Sequence, residues 1–425
     1  LTDPAEINAQ YRRWQRQILI SSIIGYAAYY FVRKNLSVAM PVMERDLGIG
    51  KSELGLFLTL HGVLYGVSKF ANGFLGDRTN ARTFMAAGLL LSAIMNVCFG
   101  FSSGAIALGV FWLLNGWVQG MGFPPCARLM THWFSPGELA TKMSIWNTSH
   151  SIGAGLVVIL CGYLVVENWR LCFFIPAILA VLCVGYLLLA LRDTPPSVGL
   201  PELAGTEAPA GKETGADFKS FLWQHVFTNK FICLLAVANF FVYTIRYAVL
   251  DWGPSLLTQA KHVEITHAGW MVAAFELSGV AGMLLGGWIT DRVFGGRGGR
   301  ACLIYMALAG VALFLFWKNP FASQLVNTGL LCCAGFFIYG PQALVGITAA
   351  NLATKRAAAT AIGFTGVFAY ASTILSGWGL GTLAGRFGWD AALGGLVVIA
   401  AIGTALFAFV WPARPHGYQT TARRT

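Results

Sequence analysis

The chain has 425 residues, of which 56% are hydrophobic and only 11% charged, with a formal net charge of +11 and a mean hydropathy of +0.64. A soluble domain carries about 25% charged residues, so this balance excludes a soluble fold. It also assigns the positive charge to loops beside a membrane, not to nucleic-acid binding.

The apolar residues lie in long blocks. Residues 18–32, 84–101, 173–191 and 396–411 each lack a charge. A bilayer core needs about 20 apolar residues per helix, and backbone groups in lipid must be satisfied within the segment. The blocks therefore predict helices over 17–38, 54–76, 82–101, 104–130, 143–165, 169–191, 228–255, 267–290, 300–317, 325–347, 360–381 and 388–411. The expected fold is an all-α membrane protein of twelve transmembrane helices in two six-helix halves.

No cleavable signal peptide is expected, because Tyr11-Arg12-Arg13 precedes the first block and no small-residue cleavage site follows. Residues 192–227 differ in kind, with Pro195, Pro196, Pro201 and Pro209 among Glu202, Glu207, Lys212, Glu213 and Asp217. They predict a cytoplasmic linker between an N-terminal half, 1–191, and a C-terminal half, 228–425. If the N-terminus is cytoplasmic, most Lys and Arg fall in inner loops. Only Arg45, Lys51, Arg170, Lys261, Lys318 and Arg386 fall outside. Both termini and the linker are thus expected inside. The nine cysteines sit mostly in apolar blocks without metal-ligand spacing, and read as small packing residues. No metal or cofactor is expected.

The halves repeat. Gly73-Phe74-Leu75-Gly76-Asp77-Arg78 with Arg82 follows the second span, and Gly287-Trp288-Ile289-Thr290-Asp291-Arg292 with Arg297 follows the eighth. Asp77 to Asp291, Arg33 to Arg246 and Pro124 to Pro341 are separated by 214, 213 and 217 residues. Three landmarks at nearly one offset argue for a duplicated half. The first loop, G-x-x-x-D-R-x-x-x-R, resembles the signature of the major facilitator superfamily, whose halves are related along the membrane normal. Asp77, Arg78, Arg82, Asp291 and Arg292 read as a cytoplasmic latch, or else as ordinary loop charge.

Ionisable groups at bilayer depth are costly and mark function. The offset places Arg33 and Arg246 at equivalent positions, expected to face each other across the pseudo-twofold axis. A guanidinium offers five donors in a planar fork, and two forks suit a tetrahedral oxyanion bound bidentately. The alternative is that each arginine pairs with a buried carboxylate. Lys34, Lys69, Asp251 and Glu276 also lie at or near membrane depth. Either they exchange partners as the halves rock or they pack statically. His150, in Trp146-Asn147-Thr148-Ser149-His150, reads as a phosphate donor or as a satisfied core histidine. No nucleophile–base pair appears, so no enzyme is expected.

Tyr29-Tyr30-Phe31-Val32-Arg33-Lys34-Asn35, Tyr65-Gly66-Val67-Ser68-Lys69-Phe70 and Asp77-Arg78-Thr79-Asn80-Ala81-Arg82 resemble the organophosphate:phosphate antiporter family. So do Trp117-Val118-Gln119-Gly120-Met121-Gly122 with Pro124, Trp146-Asn147 with His150, Arg192-Asp193-Thr194-Pro195, and Tyr339-Gly340-Pro341. The matches run from about residue 11 to about 395. The resemblance implies exchange of an organic phosphate for inorganic phosphate by rocker-switch alternating access. It implies that Arg33, Arg246 and His150 bind phosphate, that Tyr26, Tyr30, Trp146, Tyr243 and Tyr370 line the pore, and that Lys34, Lys69, Asp251 and Glu276 are buried charges near the site. A monomer in a bacterial inner membrane is expected.

Residues 246–252 with Lys261-His262 resemble the glycerol-3-phosphate branch. Residues 275–279 and 376–378 resemble a transporter-like hexose-phosphate sensor, and Phe123 replaces the glycerol-3-phosphate branch's usual tryptophan. Such a sensor is one alternative function. A proton-coupled carboxylate symporter is the other, because arginines also bind carboxylates.

Overall fold

The computed structural model describes residues 4–76, 78–202, 223–319, 323–353 and 358–414. Regular structure among them is entirely helical. Ten stretches among the described residues are long and apolar enough to cross a membrane. One of these, Thr360–Val410, has 51 residues, about 76 Å of helix, which exceeds twice a bilayer core. Gly388 divides it, at φ 83°. A side chain is strained at that angle, so glycine lets the chain turn back. The first pass completes the twelve crossings. Large apolar residues such as Leu182, Leu189, Leu284 and Phe409 are exposed, whereas Asn35, Asn96, Asn115 and Glu276 are fully buried. This inversion of a soluble protein's pattern identifies the outer face as lipid-facing.

Cα packing resolves two units, one of Leu1–Ile49 with Leu60–Gly211, the other of Gly50–Thr59 with Lys212–Thr425. In the first unit the predicted span 17–38 is two helices, α1 (Pro4–Phe31) and α2 (Leu36–Leu47). The helix is interrupted at residues 32–35, and Gly48 ends α2 at φ 66°. The second pass is α3 (Lys51–Gly76), whose first residues group with the other unit. Next comes α4 (Ala81–Phe101), where Asn80 accepts from the Arg82 and Thr83 amides as N-cap. The fourth pass is split into α5 (Ala105–Gln119) and α6 (Phe123–Trp133). Pro124 and Pro125 lie in the first turn of α6, where a missing N–H costs little. The fifth pass is also split, into α7 (Pro136–Asn147) and α8 (Ser149–Glu167). The sixth is α9 (Leu171–Ala190).

The start of the expected linker is held in place. Asp193 accepts from the Ala81 amide at 2.8 Å and pairs with Arg128 at 3.1 Å. Residues 195–198 form one 3-10 turn.

The second unit continues with α10 (Lys230–Ala260), α11 (Ile265–Arg292), α12 (Gly298–Lys318), α13 (Gln324–Leu352), α14 (Ala358–Ala371) and α15 (Leu380–Val410). A π-helical turn, Ile374–Gly379, joins the last two. Helix α10 is uninterrupted, and residues 244–257 are all buried.

Candidate anion site

In the first unit the functional side chains gather at helix breaks. Arg33 lies in the gap between α1 and α2 and is 8% exposed. Its guanidinium carbon stands 4.0 Å from the Tyr65 ring centroid and 5.4 Å from that of Tyr30. Tyr26 packs on Trp146 at 4.6 Å and on Tyr30 at 5.7 Å. Trp146 is held by its Nε1, which donates to the Ser22 carbonyl at 3.3 Å.

The other break places His150. At the α7–α8 junction the Thr148 hydroxyl donates to the Ile145 carbonyl at 2.8 Å, a local bond that competes with the helix ladder. His150 follows, its ring 6.0 Å from Tyr30 and its Nδ1 3.0 Å from the Ser151 hydroxyl. Lys69 reaches the same group through Phe123. Its ammonium lies 3.8 Å from the Phe123 centroid, and Phe123 packs on Trp146 at 5.6 Å.

Helix α8 comes this close because residue 153 is glycine. A Cβ there would lie 2.6 Å from the Ala27 carbonyl oxygen and 3.0 Å from the Tyr30 Cβ. The cluster thus combines two cations, an imidazole and tyrosines against aromatic faces in a largely buried setting. Aromatic faces attract cations, and low dielectric strengthens each charge. The arrangement suits an anion. Lys34 is also buried, its amide bonded to the Tyr30 carbonyl at 2.9 Å.

In the second unit Arg246 stands beside a buried carboxylate. It is 3% exposed, and its Nη2 lies 3.8 Å from Oε1 of fully buried Glu276. That distance is an ion contact longer than a hydrogen bond. The Tyr339 hydroxyl donates to the same carboxylate oxygen. Arg246 also stands 4.9 Å from the Tyr339 ring, 5.6 Å from Tyr247 and 6.0 Å from Tyr243. Asp251 is buried on the same helix. Five residues on, it lies about 7.5 Å along the axis and about 140° round from Arg246. Tyr370 is half-buried, next to the C-terminus of α14.

The proposed latch is only partly visible. Asp77 lies outside the described residues; Arg78, Asp291 and Arg292 are exposed, and Arg82 is half-buried. Among the described residues at that end of the first unit, Asp193 makes contacts, between Arg128 and the start of α4. The sequence reading gave no role to Tyr65, Gln119, Asp193 or Tyr339 beyond their place in familiar motifs. Tyr247 entered only within the stretch 246–252, and Asn96 and Asn115 were missed, although two asparagines inside apolar blocks are a visible signal.

The family model "Major Facilitator Superfamily" matches residues 22–377. The chain is 39% identical to the glycerol-3-phosphate transporter of Bacillus subtilis (strain 168), over 96% of this chain and 95% of that one. It is 38% identical to a probable hexose phosphate transport protein of Chlamydia pneumoniae, over 99% and 96%. To the membrane sensor protein UhpC of Escherichia coli (strain K12) it is 36% identical, over 96% and 94%. The chain is therefore a multi-pass membrane protein that belongs to the Major Facilitator Superfamily and, within it, to the organophosphate:phosphate antiporter family.

Proposed function

We propose that the protein is a secondary antiporter exchanging an organic phosphate, glycerol-3-phosphate or a sugar phosphate such as glucose-6-phosphate, for inorganic phosphate. The observation that carries this reading is the pair Arg33 and Arg246. They share one repeat offset, and each is buried against tyrosines. Phosphate would be bound by both guanidinium groups, with His150 as a further donor. Tyr26, Tyr30, Trp146, Tyr243 and Tyr370 would line the route.

Glu276 gives the site a built-in competitor. An arriving phosphate must displace this carboxylate from Arg246, so an unliganded site keeps part of its positive charge compensated. Partner exchange among Lys34, Lys69, Asp251 and Glu276 would set the balance of inward and outward states. The solute drives rocking only by binding one state better than another. Asp77, Arg78, Arg82, Asp291 and Arg292 would act as the cytoplasmic latch. The setting is a bacterial inner membrane, with the protein a monomer, both termini cytoplasmic, and 192–227 linking halves 1–191 and 228–425.

The test is uptake of labelled phosphate into proteoliposomes preloaded with phosphate, with glycerol-3-phosphate, glucose-6-phosphate and 3-phosphoglycerate as competitors. Exchange that needs internal phosphate and yields to one competitor is expected. Arg33→Lys or Arg246→Lys with normal exchange would refute the bidentate clamp. Flux driven by a pH gradient without internal phosphate would refute antiport in favour of a proton-coupled carboxylate symporter. The similarity to UhpC favours one second reading, a hexose-phosphate sensor. It predicts tight binding of one sugar phosphate without turnover.

A further inference from the structure

A helix that stops inside a membrane leaves its last carbonyls without partners, and no water replaces them. α1 stops at Phe31. The Tyr30 carbonyl is met by the Arg33 and Lys34 amides at 3.2 and 2.9 Å. Two more carbonyls, one at the end of α1 and one in the break, are met by side chains from other helices. The Tyr29 carbonyl accepts from Gln119 Nε2 at 3.0 Å. The Val32 carbonyl accepts from Asn96 Nδ2 and Asn115 Nδ2, both at 2.9 Å.

These amides are themselves tied together. Ser92 Oγ accepts from Gln119 at 2.8 Å and donates to Asn115 Oδ1. Asn35, at the far side of the break, donates to Asn96 Oδ1 and to the Cys172 carbonyl, each at 2.8 Å. Asn35, Ser92, Asn96 and Asn115 are 0% exposed and Gln119 is 2% exposed. Buried amides are costly unless bonded. Ordinary packing of α4 and α5 on α1 needs only apolar side chains. The break at 32–35 contains neither glycine nor proline, so nothing local compels it.

We propose that Asn96, Asn115 and Gln119 are positioning residues of the anion site: by binding the Tyr29 and Val32 carbonyls they hold the break and so set where Arg33 presents its guanidinium. Without them the way to satisfy these carbonyls is to continue α1 into α2. That would turn Arg33 into a helix-interior residue and swing its side chain off the Tyr65 face. This inference rests on Arg33 being a phosphate ligand.

The experiment is a double-mutant cycle on phosphate affinity, measured by competition with labelled phosphate on purified protein in liposomes. Asn115→Leu alone is expected to weaken phosphate binding at least tenfold, and Arg33→Lys alone to weaken it more. The double variant is expected to be no weaker than Arg33→Lys, because Asn115 acts only through Arg33. A purely structural role would make the losses multiply, and that outcome overturns the inference. Ser92→Ala removes the link between Gln119 and Asn115 with a smaller disturbance. If Asn115→Leu does not fold, the same cycle run with Ser92→Ala should show a several-fold loss that vanishes beside Arg33→Lys. A loss that persists there overturns the inference. Unchanged affinity in Arg33→Lys alone overturns the phosphate-site reading itself, and is distinguishable from additivity.

Discussion

Gly153→Ala adds one methyl group where α8 crosses α1. The new carbon would stand 2.6 Å from the Ala27 carbonyl oxygen, 2.8 Å from the Ala27 Cα and 3.0 Å from the Tyr30 Cβ, whereas ordinary contacts begin at 3.4 Å. Two of the three neighbours are backbone, so no side chain can swing aside. Relief needs a shift of about 0.8 Å between the helices in an interior packed like a crystal. Overpacking of this kind costs about 1–3 kcal/mol.

The displaced parts are the site itself. Tyr30 is one of the contacts, and His150 precedes Gly153 by three residues, close to the same face of α8. Loss of one hydrogen bond to a charged group is worth about 1.5–3 kcal/mol, or about 10- to 140-fold in affinity. Proteoliposome exchange should therefore show the phosphate half-saturation rising by that factor, with a lower unfolding temperature in detergent. Wild-type values for both would refute the claim that this crossing sets the site.

Other substitutions test the second unit and the linker. Tyr339→Phe removes the donor to the Glu276 carboxylate and should cost about 1–3 kcal/mol; an unchanged thermal unfolding curve would contradict it. Glu276→Gln removes the competing charge 3.8 Å from Arg246. Phosphate should bind more tightly and turn over more slowly, and weaker binding would show that the carboxylate assists the ligand. Asp193→Ala deletes both the bond to the Ala81 amide and the partner of Arg128. A loss of about 1–2 kcal/mol is expected, in line with helix-cap removal, read from thermal unfolding with phosphate affinity unchanged.

The two arginines were legible in the sequence because a charge inside an apolar block is conspicuous and the repeat offset ties one to the other. The spans were legible from the blocks themselves. What surrounds each arginine was not. The break at 32–35 is imposed by side chains 64, 83 and 90 positions away, and no local signal announces it. A buried carboxylate beside each arginine is a reading the sequence allows, but that Glu276 is the one beside Arg246 depends on how α10 and α11 are rotated against each other. Tyr339 joins that pair from 63 residues beyond Glu276. Hydropathy reports depth in the membrane; it does not report which way a side chain faces.

The break in the first pass also decouples the rotational phase of α1 from that of α2. A one-residue insertion in the continuous α10 would turn every later side chain by about 100°. It would carry Trp252 away from the Ser376 carbonyl, to which its Nε1 donates at 2.9 Å. The same insertion between Phe31 and Leu36 need not turn α2, but it would draw Val32 or Asn35 away from Asn96, Asn115 and the Cys172 carbonyl. The two copies of the half-repeat therefore differ in how they can accumulate length changes. In the first pass a length change strikes the setting of Arg33 before it strikes the helix, whereas in the seventh it strikes the packing of the helix itself.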